Sequence, residues 1–225
     1  MDAAVGELVP RGRRLLLDLL DAVGAADDEA VRARAAAEGG ADSLEICVDL
    51  PANGLTPPLP VVQAIRDAVA IELNVMVRPH DAGFVYAAAA RDAILASVAQ
   101  FKPLGIQSLV FGAHRPDGTL DIALIRQIAA AADPVPLTVH RALEWSTHPA
   151  DALPQLVGVV PRILTSGPAP SAPAGVAGLR DWVARFGEHF RFVAAGGIRL
   201  ANIRRVAETG DAGHLLSGVH HHLID

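Results

Sequence analysis

Short apolar runs of strand type recur along the chain, and segments with helical spacing or alanine-rich composition lie between them. The strict alternation predicts right-handed βαβ units and a parallel sheet. The predicted strands are Leu15–Leu20, Ser43–Val48, Ile71–Arg78, Gln107–Gly112, Leu137–Arg141, Arg162–Ser166, Arg191–Ala195 and Leu215–Val219. The predicted helices are Glu29–Glu38, Pro60–Val69, Ala87–Phe101, Ile122–Ala132, Ala150–Val157, Val176–Phe186 and Ala201–Glu208.

Eight predicted strands are the number that closes a barrel. The sequence therefore predicts the α/β class and a parallel (βα)8 TIM-type barrel. The 225 residues suit such a fold, since these barrels take about 250 residues as one domain. We expect a single domain over residues 1–225, in which 1–14 form a flexible N-terminal segment. An open doubly wound sheet is the alternative.

Side chains alternate between an aliphatic and a polar face on three of the predicted strands. Helices cover the outside of a barrel, so the aliphatic faces belong outside and the polar faces inside. A charge inside a barrel is costly unless it is paired or solvated. We therefore expect Glu45, Arg78 and His140 to meet in one central cavity, where they neutralise one another or contact a ligand. The polar faces comprise Glu45 and Cys47, then Asn74, Met76 and Arg78, then Thr138 and His140.

Glycine-containing turns follow the sixth and seventh predicted strands. Glycine lets the backbone approach an anion, and the loops late in such barrels often bind phosphate through backbone N–H groups. Tight strand-to-helix turns would explain the same glycines without any ligand. Together with nearby arginines, the turns predict a site for a small anionic ligand. Its candidate residues are Arg78, Arg141, Ser166, Gly167, Gly196 and Gly197.

The inward polar residues also permit catalysis. Glu45 and His140 are candidates for general acid–base catalysis, and Arg78 is a candidate for holding a carboxylate or phosphate. The hypothesis is lyase or isomerase chemistry on a small phosphorylated or carboxylated metabolite. Lys102 is the one lysine of the chain and follows a helix, so Schiff-base chemistry is excluded if the strand assignment holds. A barrel that binds a small anion without converting it is the third possibility.

Charge, cysteine content and hydropathy limit the kinds of partner and the cellular location that the sequence predicts. The 25 acidic residues exceed the 19 basic ones, which leaves no basic surface for nucleic acid. Cys47 is the single cysteine, so no intrachain disulfide can form. No apolar run reaches the roughly 18 residues that a membrane helix needs. These features predict a cytoplasmic protein that binds neither nucleic acid nor membrane.

Ordered motifs from about Glu29 to Gly197 resemble those of the CutC copper homeostasis family. The resemblance implies a barrel fold, a cytosolic location, self-association into a homo-oligomer and a connection with copper. The motifs are Gly39–Asp42 leading into Leu44–Cys47, Asn53–Pro57, Val75–Pro79 with Phe84 and Tyr86, Leu109–Gly112 with Asp117, Gly118 and Asp121, Thr138–Ala142, Ile163–Gly167 and Gly196–Ile198.

Departures from the family pattern bear on copper. Family members often carry a second cysteine on the first strand, where this chain has Leu17–Leu20, and His80 stands where an arginine is familiar. Cu(I) prefers thiolate and thioether ligands, and a site with two thiolates is impossible here. The candidate copper ligands are Cys47, Met76 and His140. Cys47 could equally be a small buried side chain with no ligand role.

Overall fold

The structure is a computed structural model that describes residues 16–21, 24–199, 201–207 and 215–219, with the backbone alone for 16–21 and 215–219. Its eight parallel strands follow one another in sequence order around a closed barrel. Closure comes from the pairing of the last strand with the first, in which Leu16 is in register with Ser217. The predicted (βα)8 barrel is therefore confirmed, and the open sheet is excluded.

The predicted elements recur, and six of the eight strands are shorter than predicted. The strands are β1 (Leu16–Asp21), β2 (Ser43–Cys47), β3 (Glu72–Met76), β4 (Ser108–Phe111), β5 (Leu137–Val139), β6 (Arg162–Thr165), β7 (Arg191–Ala194) and β8 (Leu215–Val219). The helices are α1 (Ala26–Glu38), α2 (Leu59–Ala68), α3 (Ala88–Phe101), α4 (Ile122–Ala132), α5 (Pro149–Leu156), α6 (Val176–Phe186) and α7 (Ile203–Ala207). None of these helices is long and apolar enough to cross a membrane. The segment 1–14 lies outside the described residues.

The aliphatic faces of the strands form the main core, between the sheet and its helices. Leu44 and Ile46 of β2 and Leu73 and Val75 of β3 are fully buried in this cluster. Alternate residues on the same strands pack in a separate cluster inside the barrel, which contains Cys47. The structure thus gives the two faces of β2 and β3 the orientations that the sequence pattern predicts.

Polar side chains fill the barrel interior near the amino ends of the strands. We call this group the lower polar layer. The Asn74 amide oxygen accepts hydrogen bonds from Ser108 Oγ at 2.7 Å and from Arg162 Nη1 at 2.8 Å. Ser108 Oγ also lies 2.9 Å from Thr138 Oγ1. Glu45 is in register with Asn74 and completes the layer.

Glu45 is the acidic member of the lower polar layer. Burial raises the pKa of its carboxyl from 4.5 to about 7, and the opposite charge of Arg162 partly offsets that rise. Burial likewise lowers the pKa of Arg162. The free energy of keeping Glu45 ionised therefore depends on the nearby charge of Arg162.

We expect Glu45→Gln to change how stability depends on pH. Because the folded-state pKa of about 7 exceeds the ordinary 4.5, the folded protein binds the Glu45 proton more tightly than the unfolded chain does. The resulting stabilisation is complete below pH 4.5 and is lost as the pH rises through 7. Relative to Glu45→Gln, the wild type should lose on the order of 2–3 kcal/mol of unfolding free energy over this range.

Urea unfolding of both proteins across this pH range measures the effect. Glu188→Gln is the matched control, since Glu188 is exposed and its loss should leave the wild-type pH profile unchanged. Parallel profiles for Glu45→Gln and the wild type would contradict the expectation.

Candidate functional site

A layer of sulfur-containing side chains lies above the lower polar layer. Cys47, Met76 and Val110 pack together inside the barrel, and we call them the sulfur layer. Gly54 has a φ of +82° and presses against both sulfur residues, because a Cβ added there would lie 3.2 Å from Cys47 Sγ and 3.4 Å from Met76 Cε. The Cys47 thiol and the Met76 side chain therefore meet the same point of the β2–α2 loop.

Arg78 lies beyond the end of β3, at the carboxyl end of the barrel. Its backbone N–H donates to Thr56 Oγ1 at 2.8 Å. Its Nη1 donates to the carbonyls of Ala52 at 2.5 Å and Gly54 at 3.2 Å. These contacts hold the guanidinium against the β2–α2 loop, and they leave Nε for other contacts.

His140 follows β5 and lies opposite Gly112. A Cβ on Gly112 would come within 2.8 Å of the imidazole, so this ring requires glycine at that position. The Ala142 N–H donates to His140 Nδ1 at 3.1 Å. The imidazole proton is therefore on Nε2.

The imidazole of His140 is neutral at pH 7. Burial lowers its pKa to about 3, and the positive charge of Arg78 contributes to the same shift, as do His114 and Arg141. His140 therefore offers a neutral N–H donor and is a very weak base at this pH.

Phe84 joins Arg78 and His140. The Arg78 guanidinium carbon lies 4.8 Å from the centre of the Phe84 ring, and the His140 ring centre lies 5.0 Å from it. Trp145 covers another side of Phe84, with 5.5 Å between the ring centres. The cation and the imidazole thus lie around one aromatic side chain.

Three buried hydrogen-bond donors in this region have no acceptor among the described residues. They are Arg78 Nε, His140 Nε2 and the Tyr86 hydroxyl, and we call them the donor cluster. Burial raises the pKa of Tyr86, which keeps its hydroxyl protonated, although the Arg78 charge and the approach of the Arg78 side chain to the hydroxyl oxygen oppose the rise. His80 Nδ1 is also buried without a partner, and its ring lies 5.3 Å from that of Tyr86.

The predicted anion-binding residues Arg141 and Ser166, together with Thr165, hold a carboxylate of the chain itself. Glu144 Oε2 accepts from the Ser166 N–H at 2.7 Å and from Thr165 Oγ1, and Oε1 accepts from Ser166 Oγ at 2.6 Å. Arg141 Nε pairs with Oε1 as well. We call Arg141, Thr165 and Ser166 the oxyanion cradle.

Two glycine turns complete this region. Gly167 has a φ of +72°, and its N–H donates to Thr165 Oγ1 at 3.0 Å. Gly196 has a φ of +88°, and a Cβ there would lie 3.0 Å from Arg141 Nη1. Gly197 packs instead against Ser171, which is not part of the oxyanion cradle.

The structure brings some of the predicted site residues together and separates others. Arg78 and His140 are neighbours around Phe84. Glu45 lies four residues lower than Arg78 in the register of β3, which is about 13 Å along the strand, and its charged neighbour is Arg162. The expected meeting of Glu45 with Arg78 and His140 is therefore not what the structure shows, and a catalytic role of Glu45 stays a prediction.

The three candidate copper ligands are divided in a similar way. Cys47 and Met76 share the sulfur layer, whereas His140 lies above it beside Phe84. Across the described ranges, no three His, Cys, Asp or Glu side chains are grouped so that they could hold a metal ion. The donors that fit copper are thus one thiolate and one thioether.

Sequence reasoning missed Glu144 and Tyr86 as site residues. Both lie in irregular segments after strands, where alternation gives no information on direction. For Glu144, one signal was available in the sequence. It is an acidic residue three positions after Arg141, just beyond the strand end at which His140 lies.

The family profile and the related sequences that match this chain all name the same family. The CutC family profile matches residues 26–219. A family protein CutC from Mesorhizobium japonicum is 39% identical over 173 residues, which cover 76% of this chain and 67% of the relative. One from Sodalis glossinidius is 35% identical over 176 residues, which cover 78% and 69%.

Solved structures agree on the fold. The CutC protein from Streptococcus agalactiae, which is named for copper homeostasis, superposes with a TM-score of 0.79 at 19% identity, over 91% of this chain and 98% of that one. A rubisco-like protein from Burkholderia fungorum gives 0.64 at 15% identity, over 92% of this chain and 55% of that one. Since the family profile spans most of the sequence and both relatives exceed a third identity, this chain belongs to the CutC family.

Proposed function

We propose that this CutC-family protein binds a small anionic metabolite at the carboxyl face of its barrel. The donor cluster carries the proposal: Arg78, Tyr86 and His140 each present a buried hydrogen with no acceptor among the described residues. An oxygen of a carboxylate or phosphate group would accept from these donors. The loops after β3 and β5 supply the site.

The energetics favour an oxygen ligand. A buried donor without an acceptor costs about 1–3 kcal/mol, and folded proteins satisfy the great majority of such groups. The Arg78 charge also favours an anionic ligand, because none of the described carboxylates forms an ion pair with this guanidinium. A charged oxygen would satisfy the donors and neutralise the guanidinium together.

The state of His140 favours binding over acid–base turnover. A neutral imidazole that offers Nε2–H can polarise a bound carbonyl, but it does not accept a proton readily at pH 7. Glu45, the other candidate base, belongs to the lower polar layer. Binding without conversion is therefore the function we propose first, and an isomerase or lyase would need its base from another group.

Removing Arg78 should abolish anion binding at the donor cluster. We expect carboxylated or phosphorylated metabolites to raise the melting temperature of the wild type, because ligand at 100 times its Kd adds about 2.7 kcal/mol of stability. Arg78→Ala should remove these shifts at ligand concentrations up to 100 times the wild-type Kd. Thermal unfolding against a metabolite panel, with acetate and inorganic phosphate as minimal probes, measures this.

Two further variants sharpen that test. Arg115→Ala removes an exposed arginine from the same face, after β4, and should keep the ligand shifts. Tyr86→Phe keeps the ring and loses one donor, so affinity should fall by about 2- to 12-fold. Ligand shifts of wild-type size at these concentrations in Arg78→Ala would refute the site.

Copper binding is the second candidate function, and the contact of Cys47 and Met76 with the same glycine favours it. Cu(I) accepts thiolate and thioether ligands, and these two residues offer one of each. The family name and the name of the Streptococcus agalactiae relative also support the proposal. His140 lies above the sulfur layer, so it would be a copper ligand only if the site extended upward from Cys47 and Met76.

Cu(I) titration of the apo-protein tests this candidate. We expect Cys47→Ser to abolish binding, because it removes the thiolate, and Met76→Leu to weaken it. His220–His222 should be replaced by alanine in every sample, so that the histidine run does not bind metal. Undetectable Cu(I) binding, or binding that Cys47→Ser leaves unchanged, would remove the copper proposal.

A cytoplasmic location and assembly into a homo-oligomer also stay proposals. Both rest on the resemblance to the CutC family, and the single cysteine suits a reducing compartment.

A further inference from the structure

The Glu144 carboxylate has the surroundings of a bound oxyanion. Its two oxygens accept from a backbone N–H, two hydroxyls and a guanidinium, all supplied by the oxyanion cradle. The Glu144 side chain is 1% exposed, whereas that of Arg141 is 24% exposed. Solvent therefore reaches one wall of the cradle while the carboxylate fills its centre.

The same donor set would hold a free phosphate or carboxylate group. Backbone N–H, hydroxyl and guanidinium donors are those that bind such groups in proteins, and charge-assisted hydrogen bonds make them strong. Arg141 Nη2 also donates to the Pro170 carbonyl at 3.1 Å, which anchors the guanidinium without Glu144. The turn at Gly196 lies against Nη1 of the same guanidinium. Arg141 therefore has anchors in the loops after β6 and β7 that do not depend on Glu144.

Glu144 belongs to a segment that could leave the cradle. It lies in the β5–α5 loop next to Trp145, whose side chain is exposed to 42% and lies over Arg141, 5.2 Å from the guanidinium carbon. Replacement of the carboxylate by a ligand requires the Glu144 side chain to rotate out of the cradle. The exposed indole beside it would report that change.

We propose that the oxyanion cradle is a second anion-binding site, which the protein closes from within by Glu144. A phosphate or carboxylate group of a ligand opens the site by replacing the Glu144 carboxylate. The site is separate from Arg78 and does not depend on the function proposed for the donor cluster. In its closed state the cradle already has a counter-ion, so external anions must compete for it.

Phosphate titration in an Arg78→Ala background tests the proposal, because that change removes the other anion site. Binding is followed by tryptophan fluorescence at constant ionic strength, since Trp145 is exposed and the second tryptophan, Trp182, is buried. Replacing Glu144 by alanine should lower the apparent Kd for inorganic phosphate by about tenfold or more, because the competing charged acceptor is gone. A further Ser166→Ala change should reverse the gain.

Controls keep the test decisive. Glu188→Ala removes an exposed carboxylate elsewhere and should leave the Kd unchanged. If the alanine variant does not fold, Glu144→Gln keeps the shape and loses the charge, and it should also bind phosphate more tightly than its Glu144 parent. Arg78→Ala with Glu144 intact should show a change in tryptophan fluorescence at high phosphate concentration, and Trp145→Phe should remove that change.

Equal phosphate affinity with and without Glu144, or a gain that survives Ser166→Ala, would overturn the second site. Neither result would affect the donor cluster, whose test depends on Arg78. Conversely, loss of the Arg78 effect would leave the cradle result standing.

Discussion

Closure of the barrel imposes the constraint on which the site depends. Eight short strands enclose an interior that only their inward side chains can fill, and this chain fills it in levels. In the lower polar layer, Ser108 Oγ and Arg162 Nη1 both donate to the Asn74 amide oxygen. The sulfur layer above it is apolar. Charged groups at the carboxyl face are therefore separated from those below, and each level has to balance its own charge.

Alternation along the strands predicted the inward residues correctly but not their levels. Glu45, Arg78 and His140 all lie on inward-facing positions of the alternation. Because side-chain direction repeats every two residues, it does not give the position of a residue along the barrel axis. Height follows from register, and register depends on pairing between strands that one sequence does not reveal. Once Glu45 is paired with Asn74, its distance from Arg78 follows from the rise per residue.

The strand ends limited the prediction in another way. Arg78, His140 and Ser166 fall just beyond β3, β5 and β6, in loops where the chain turns and alternation ends. Hydrogen bonds to loop carbonyls direct Arg78, and a close fit against Gly112 directs His140. Such contacts depend on loop geometry, so the sequence could indicate which residues lie at the carboxyl face but not which of them meet.

Arg78 and Arg141 at the carboxyl face differ in their counter-ions, and this difference determines which of their two sites an anion should bind first. Arg141 has an internal counter-ion in Glu144, whereas none of the described carboxylates pairs with Arg78. Both charges lower the pKa of His140, the residue that directly precedes Arg141. An incoming anion gains most where no carboxylate must be displaced, so it should bind at Arg78 first. Occupancy of the oxyanion cradle would then require a ligand with a second anionic group, or a phosphate concentration high enough to compete with Glu144.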